Sequence, residues 1–346
     1  MNQKRINGLD VVRTLAISLV LLLHMTEGVV GTPLVLQKIF SVGWAGVDIF
    51  FVLSGFLIGS QVFKDQQDQS FKIQLSNFWI KRWFRTLPLY FVFLCVYMVI
   101  KPFFFAPFND EKWKFFFFLQ NFLSPRDFVQ SWSLCIEEQF YLIFPLLIYG
   151  LKSLRKHIYL FVIPVLISIA MRWNIQDVFN VTTARNYAYY IMFPSYTHMD
   201  GICFGVILAF TQHHWIDYIR RYKNIFFGVG LFLLILVLFL TGKTPKGSMA
   251  TWAFTYISLS ASLLVMSGMF LNVNKKITPL FYWISTLSYS AYLWNNLFMR
   301  VVSKYCSHLH WLLSSIIFLS LTFLASYFTY IMIEKPFIKM RNRFLK

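Results

Sequence analysis

Arg13 and His24 stand eleven residues apart in a stretch that is otherwise almost wholly apolar. Eleven residues of α-helix make close to three full turns and rise about 16 Å, so the two side chains share one stripe at different depths. Asp10, three residues before Arg13, is placed to pair with it. Other ionisable residues interrupt other apolar runs: Asp48, Glu137, Glu138, His198 and Asp200. An ionisable side chain at the centre of a span costs about 2.5–3.5 kcal/mol on insertion scales, so each argues for a partner or a cavity. Counted from the ends of their runs, these five positions fall near the depth of His24, which makes them candidates for one proton-handling chamber. Histidine suits proton transfer near neutrality, and an adjacent carboxylate fixes its tautomer. Asp48 or Glu137 would orient His24, although an Asp or Glu of the chamber would serve equally as the base. At the other end of the stripe, Arg13, Arg82, Arg85 and Lys335 form a cationic mouth suited to a phosphate-bearing ligand. Each group also has a plainer reading. The arginines fit topological anchors, His24 an interhelical hydrogen bonder, and Glu137–Glu138 a structural pair or part of an ion path.

The elements that must hold these groups are membrane helices. Of the 346 residues, 58% are apolar, 20% aromatic and only 13% charged, about half the charge of an ordinary soluble domain. Apolar runs long enough to cross a hydrocarbon core of about 30 Å recur along the chain. They predict an all-α polytopic bundle of about ten transmembrane helices, over residues 9–28, 44–63, 87–106, 131–150, 157–173, 196–213, 224–242, 249–271, 280–303 and 311–333. The sixth is the weakest, being interrupted at His198 and Asp200. The Phe-rich stretch 113–123 is too short to span and is expected to lie in the interface or re-enter, its phenylalanines facing lipid. Lys and Arg concentrate in alternate connections: with Lys4 and Arg5, between Lys64 and Arg85, around Arg155 and Arg221, at Lys275–Lys276 and after Ile333. By the positive-inside rule both termini are predicted to be cytoplasmic.

The net charge of +18 does not make this a nucleic-acid-binding protein. Its basic residues sit in short connections between apolar runs, where they set topology and meet anionic headgroups. Cys95, Cys135, Cys203 and Cys306 lack metal-ligand spacing and read as small buried hydrophobes. The first apolar run is too long for a signal-peptide core and no A-x-A-like site follows it, so it reads as the first span.

Several motifs in order resemble the acyltransferase-3 membrane family, the bacterial O-acyltransferases of surface polysaccharide, lipopolysaccharide and related glycans. NGLDVVRTLAISLVLLLH carries Arg13 and His24 in an R-x(10)-H pattern, and GVDIFFVLSGFLIG follows. KRWFRTLPLY places Arg82 and Arg85 in an R-x-x-R pattern, and SWSLCIEEQFYLIFP carries Trp132, Ser133, Glu137, Glu138, Gln139 and Tyr141. HMDGICFGVILA, LSYSAYLW and IEKPF complete a resemblance that covers essentially the whole chain. It implies that Arg13 and His24 are essential, with His24 as the proton-transfer residue; together with the chamber carboxylates Asp48, Glu137 and Glu138 they make up the candidate catalytic set. Arg82, Arg85 and Arg13 would hold an acyl-CoA co-substrate, by default acetyl-CoA, and no metal is expected. His198, Asp200, Trp132 and Asn295 are the candidate substrate-binding residues. Many members place a histidine after the YLW motif; here Trp294 is followed by Asn295 and Asn296, so that histidine's role does not transfer, although Asn295 is able to hydrogen-bond substrate.

The resemblance thus implies transfer of an acyl group, by default acetyl, from cytoplasmic acyl-CoA to a hydroxyl of a cell-surface glycan or its lipid-linked precursor. The expected location is the bacterial cell (inner) membrane, with lipids as further partners. A single acyltransferase-3-type domain over 1–346, with no appended soluble domain, is expected. The alternative from another class is a proton-coupled transporter or flippase of a glycan precursor, since polar residues in a bundle suit a proton path equally. It is disfavoured by the lack of paired, Gly/Pro-broken helices in two halves. A structural or assembly subunit would leave the polar chamber unexplained.

Overall fold

The computed structural model describes residues 6–345 apart from 65–69, 106, 109, 123–126, 152–156, 180 and 182, and for Lys64 and Phe104 the backbone alone. Lys4, Arg5 and the basic residues around Arg155, all used in the topology argument, lie outside the described residues. Among the described residues, thirteen α-helices follow one another: α1 (Asn7–Gly28), α2 (Leu34–Phe40), α3 (Ala45–Lys64), α4 (Phe71–Phe104), α5 (Trp113–Phe116), α6 (Ser131–Gly150), α7 (Val162–Phe179), α8 (Ala184–Tyr187), α9 (Asp200–Thr241), α10 (Ser248–Gly268), α11 (Thr278–Tyr305), α12 (Trp311–Thr329) and α13 (Lys335–Arg341). Short 3₁₀ and π-helical turns join some of them, and no strand occurs among the described residues.

Seven of these helical stretches are long and apolar enough to cross a membrane: 7–28, 34–63, 71–103, 158–179, 200–241, 248–268 and 311–341. Large apolar side chains such as Phe103, Phe239 and Met332 are strongly exposed on them, as lipid-facing residues are. The protein is therefore a multi-pass membrane protein. Seven differs from the ten expected runs for two physical reasons. The expected runs 196–213 and 224–242 fall largely on one long helix, α9 (Asp200–Thr241), which bends at Tyr222 (φ −107°, ψ 19°). The helices α6 and α11 bury Ser133, Glu138, Ser288, Ser290, Asn295 and Asn296, which lowers their hydropathy while giving the bundle its polar interior.

Two boundaries matter for the site. α4 begins at Phe71, sixteen residues before the predicted span, and carries Pro88 inside it. Arg82 and Arg85 therefore sit on a helix, one turn apart, where a loop was expected. α7 continues to Phe179, beyond the predicted end at 173, and this places Arg172 inside a helix and fully buried.

Close packing at glycines fixes how the polar helices face one another. Gly55 and Gly59 on α3, and Gly201 and Gly205 on α9, each form a G-x-x-x-G pair. A Cβ on Gly55 would stand 2.1 Å from the Ile202 carbonyl oxygen, and one on Gly205 would stand 2.2 Å from that of Val52. Such small-residue seams let backbones approach within a membrane, where apolar burial alone gives no preference for helix over lipid. The central helix α1 packs on α3, α10 and α11, with Gly46 against the Ala16 carbonyl.

The Phe-rich stretch crosses nothing, as expected, yet its phenylalanines do not all face lipid. It forms α5 and a 3₁₀ turn at Gln120–Phe122. Phe115 is fully buried within a cluster that includes Phe108 and Phe128. Of the cysteines, Cys135 and Cys203 are buried as expected, Cys306 is half-buried, and Cys95 is exposed.

Candidate active site

Two chambers lie along α1. The first surrounds Arg13 and is lined by Arg82, Arg85 and Thr86 of α4, Ser54 of α3, Glu137 and Tyr141 of α6, and Tyr289 and Tyr292 of α11, among others. Its volume is about 110 Å³. The Arg13 Nη1 donates to Ser285 Oγ at 2.9 Å and approaches Asp10 Oδ1 at 3.4 Å; Ser285 donates to the same carboxylate at 2.6 Å. The expected Asp10–Arg13 pair thus forms, buttressed from α11. The Arg82 guanidinium lies over the Tyr141 ring, 5.9 Å from its centroid, and its Nη2 reaches Gln61 Oε1 at 3.4 Å. Its buried Nε has no partner among the described residues. Glu137 accepts a hydrogen bond from Ser54, while Glu138 accepts one from Thr86 at 2.8 Å.

The second chamber, about 280 Å³, surrounds His24. Its walls include Glu27 of α1, Trp44 and Val47 of α3 and the turn before it, Gln130 and Trp132 at the start of α6, Tyr187 of α8, Lys243 after α9, and Tyr292 and Asn296 of α11. Four of its polar atoms are buried without a hydrogen-bond partner among the described residues: His24 Nδ1, Trp44 Nε1, Gln130 Oε1 and Tyr187 Oη. Native proteins leave few such atoms, and a group of them around one cavity is suited to a polar ligand that would complete the bonding.

Val47 and Tyr292 line both chambers and so form the partition between them. Tyr292 is pinned there: its hydroxyl lies 2.6 Å from Ser133 Oγ and donates to the Gln130 carbonyl at 2.9 Å.

The carboxylates and imidazoles expected at the level of His24 separate into three places. Glu137 lines the arginine chamber, and its neighbour Glu138 is held by Thr86 on α4. Asp48 is joined to His198 instead of His24: Oδ1 is 2.7 Å from His198 Nε2, and the other ring nitrogen, Nδ1, donates to the Met192 carbonyl at 2.7 Å. Asp200 is bound by Arg172, whose five N–H groups go to Thr251 O, Thr197 O, both oxygens of Asp200 and Thr255 Oγ1 at 2.6–3.1 Å. Depth along separate helices placed these groups alike; the azimuth of each helix separates them.

Trp132 does line the His24 chamber, and its other face stacks on His198 at 5.2 Å between centroids. Asn295 does not line it. Its amide donates back to the Ala291 and Tyr292 carbonyls of its own helix, and Asn296 faces the chamber instead. Lys335 is exposed at the start of α13 and is not part of the arginine chamber.

Sequence reading passed over Arg172, Glu27, Lys243, Tyr187 and Tyr292. Glu27 was within reach, since it stands one helical turn beyond His24. Arg172 stands one residue before the expected end of its span at 173, where a charge asks for no buried partner. Lys243 is brought in by the chain reversal after α9, where Gly242 takes φ +60°, and no local pattern announces that.

With this geometry in place, the comparisons with known proteins become informative. The family model described as "Acyltransferase domain", that of acyltransferase-3, matches residues 6–331. The chain belongs to the acyltransferase-3 family. This acyltransferase-3 chain is 27% identical over 360 residues to a Staphylococcus aureus (strain COL) protein whose name provisionally assigns it as an O-acetyltransferase; the match covers 96% of this chain and 57% of that protein. It is 28% identical over 338 residues to the O-acetyltransferase OatA of S. aureus (strain NCTC 8325), covering 86% and 51%. A shorter match, 39% over 121 residues, links it to the peptidoglycan O-acetyltransferase OatA of Listeria monocytogenes, covering 30% of this chain and 19% of that protein. The chain thus spans little more than half the length of the S. aureus relatives. No solved structure matches it.

Proposed function

We propose that this acyltransferase moves an acetyl group from cytoplasmic acyl-CoA to a hydroxyl of a cell-surface glycan or its lipid-linked precursor, in the bacterial cell membrane. The observation that carries the reading is the pair of chambers beside one helix, basic around Arg13 and imidazole-bearing around His24, with Val47 and Tyr292 lining both. With both termini cytoplasmic, the arginine chamber opens to the cytoplasm and the histidine chamber to the outer face.

In this reading Arg82, Arg85 and Arg13 hold the phosphates of the donor, because guanidinium groups bind phosphate through paired, charge-assisted hydrogen bonds. The pantetheine arm runs along α1 and brings the thioester past Tyr292. The acceptor enters the opposite chamber, where the unpartnered groups of Trp44, Gln130 and Tyr187 complete their hydrogen bonding on sugar hydroxyls. His24 takes the proton from the acceptor hydroxyl as its oxygen attacks the thioester carbonyl. The carbon–sulfur bond breaks, and the imidazolium returns the proton to the departing thiolate. Proton, acyl group and leaving group balance with no further reactant.

The names of the relatives support an acetyl group and, through the Listeria protein, a cell-wall glycan acceptor. The test is transfer of label from acetyl-CoA to cell-envelope glycans by purified protein in detergent. Wild type labels glycan and His24→Ala does not, although the variant remains folded. Full activity in that variant, or no transfer by folded wild type with any acyl-CoA donor, overturns the proposal.

A further inference from the structure

His24 lacks the carboxylate that the sequence suggested for it. Asp48 is taken by His198, and Glu137 lies in the other chamber. The Nδ1 of His24 is sealed from solvent and has no hydrogen bond among the described residues. The carboxylate facing it belongs to Glu27, whose Oε2 stands 3.6 Å away, one turn further along α1. Glu27 is held in its turn: its Oε1 pairs with Lys243 Nζ at 3.2 Å. All three residues line the same chamber. One helix, α1, and the connection after α9 thus meet on one side of the imidazole, and Lys243 comes from far along the sequence.

We propose that Glu27 is the positioning residue of His24, holding its Nδ1–H so that Nε2 is the unprotonated nitrogen presented to the acceptor, and that Lys243 fixes Glu27 in that orientation. This inference rests on the acyl-transfer reading above for its consequence in catalysis, and on geometry alone for the tautomer. A separation of 3.6 Å is longer than a formed hydrogen bond, and a small rotation of either side chain closes it. Such contacts commonly tighten only when substrate is bound. A purely structural role is the competing account: an i,i+3 ion pair at a partly exposed helix end contributes little to stability, and removing it would leave the chemistry unchanged.

Two measurements separate the accounts. In ¹⁵N-histidine-labelled protein, with the His24 signals assigned by their loss in His24→Ala, the ring shifts report which nitrogen carries the proton. The expected result is the Nδ1–H tautomer in wild type, and a mixture of tautomers in Glu27→Ala. Unchanged His24 signals in that variant overturn the proposal whether or not acetyl transfer is ever observed. In the transfer assay, Glu27→Ala lowers kcat at least about tenfold, less than the roughly 10²–10⁴-fold that the general base itself contributes because His24 remains, with KM for acetyl-CoA unchanged. Glu27→Asp restores part of the loss, and Lys243→Ala has a smaller effect in the same direction. Wild-type kcat in Glu27→Ala refutes the inference while leaving the function standing; inactive wild type with an intact Nδ1–H signature refutes the function alone.

Discussion

Two buried polar clusters of this bundle use their hydrogen bonds in opposite ways. Around Arg172 and His198, the bonding is largely matched inside the protein: five bonds from one guanidinium and both nitrogens of one imidazole, with Asp48 Oδ2 left unpartnered among the described residues. His198 is also sandwiched by aromatic rings, with Phe254 at 3.7 Å and Trp132 at 5.2 Å. Around His24, Trp44 Nε1, Gln130 Oε1 and Tyr187 Oη are unmatched among the described residues and line a cavity, and His24 Nδ1 faces a carboxylate only at 3.6 Å. A satisfied buried network rigidifies and specifies one arrangement of helices, since breaking any member strands its partner. An unsatisfied set around a void is able to bond a molecule that comes and goes. The difference separates architecture from chemistry in residues whose types are the same on paper, two histidines with carboxylates nearby.

The sharpest way to break that distinction is to truncate one residue in each cluster. His24→Ala is expected to lower acyl transfer about 10²–10⁴-fold while thermal unfolding in detergent changes little. Arg172→Ala is expected to do the reverse. Removing one partner of a buried ion pair costs about 3–5 kcal/mol, so folded yield and unfolding temperature fall first, and activity per folded molecule is retained. If Arg172→Ala stays folded and loses activity, the fully bonded cluster is part of the chemistry after all.

Smaller effects sharpen the comparison. Gly205→Leu at the seam between α3 and α9 should cost on the order of 1–3 kcal/mol or more, because even its Cβ collides with the Val52 carbonyl. Unfolding in detergent reads this directly, and the Asp48–His198 bond across that seam should loosen with it. Arg82→Ala should raise KM for acetyl-CoA about tenfold, as expected for losing one hydrogen bond to a charged group, with kcat less affected. The smallest contrast lies between neighbours: Asn296→Ala should weaken acceptor use several-fold, as the loss of one hydrogen bond predicts, whereas Asn295→Ala should act on stability alone. Equal effects on acceptor KM would contradict the placement of only Asn296 at the chamber.

How much of this was legible beforehand depends on the kind of question. Hydropathy identified the helices, and the two exceptions in the count trace to the polar faces of α6 and α11 and to the continuity of α9 through Tyr222. The R-x(10)-H spacing placed Arg13 and His24 on one stripe with one chamber each, because both lie on a single helix whose geometry is fixed by hydrogen bonding. The R-x-x-R pair was correctly grouped with Arg13, although on a helix in place of a loop. The expected partners of His24 were not found there. Asp48, Glu137, His198 and Asp200 share its approximate depth, and depth was all that the spans supplied.

Spacing within one helix is local, so the sequence by itself determined the membrane class, most of the helices and the stripe that carries both chambers. Which groups meet across helices depends on the rotation of each helix about its axis and on its neighbours. That was decided by tertiary contacts: glycine seams that lock α3 to α9, the turn at Gly242 that delivers Lys243, and the close approach of α11, whose Tyr292 stands between the two chambers.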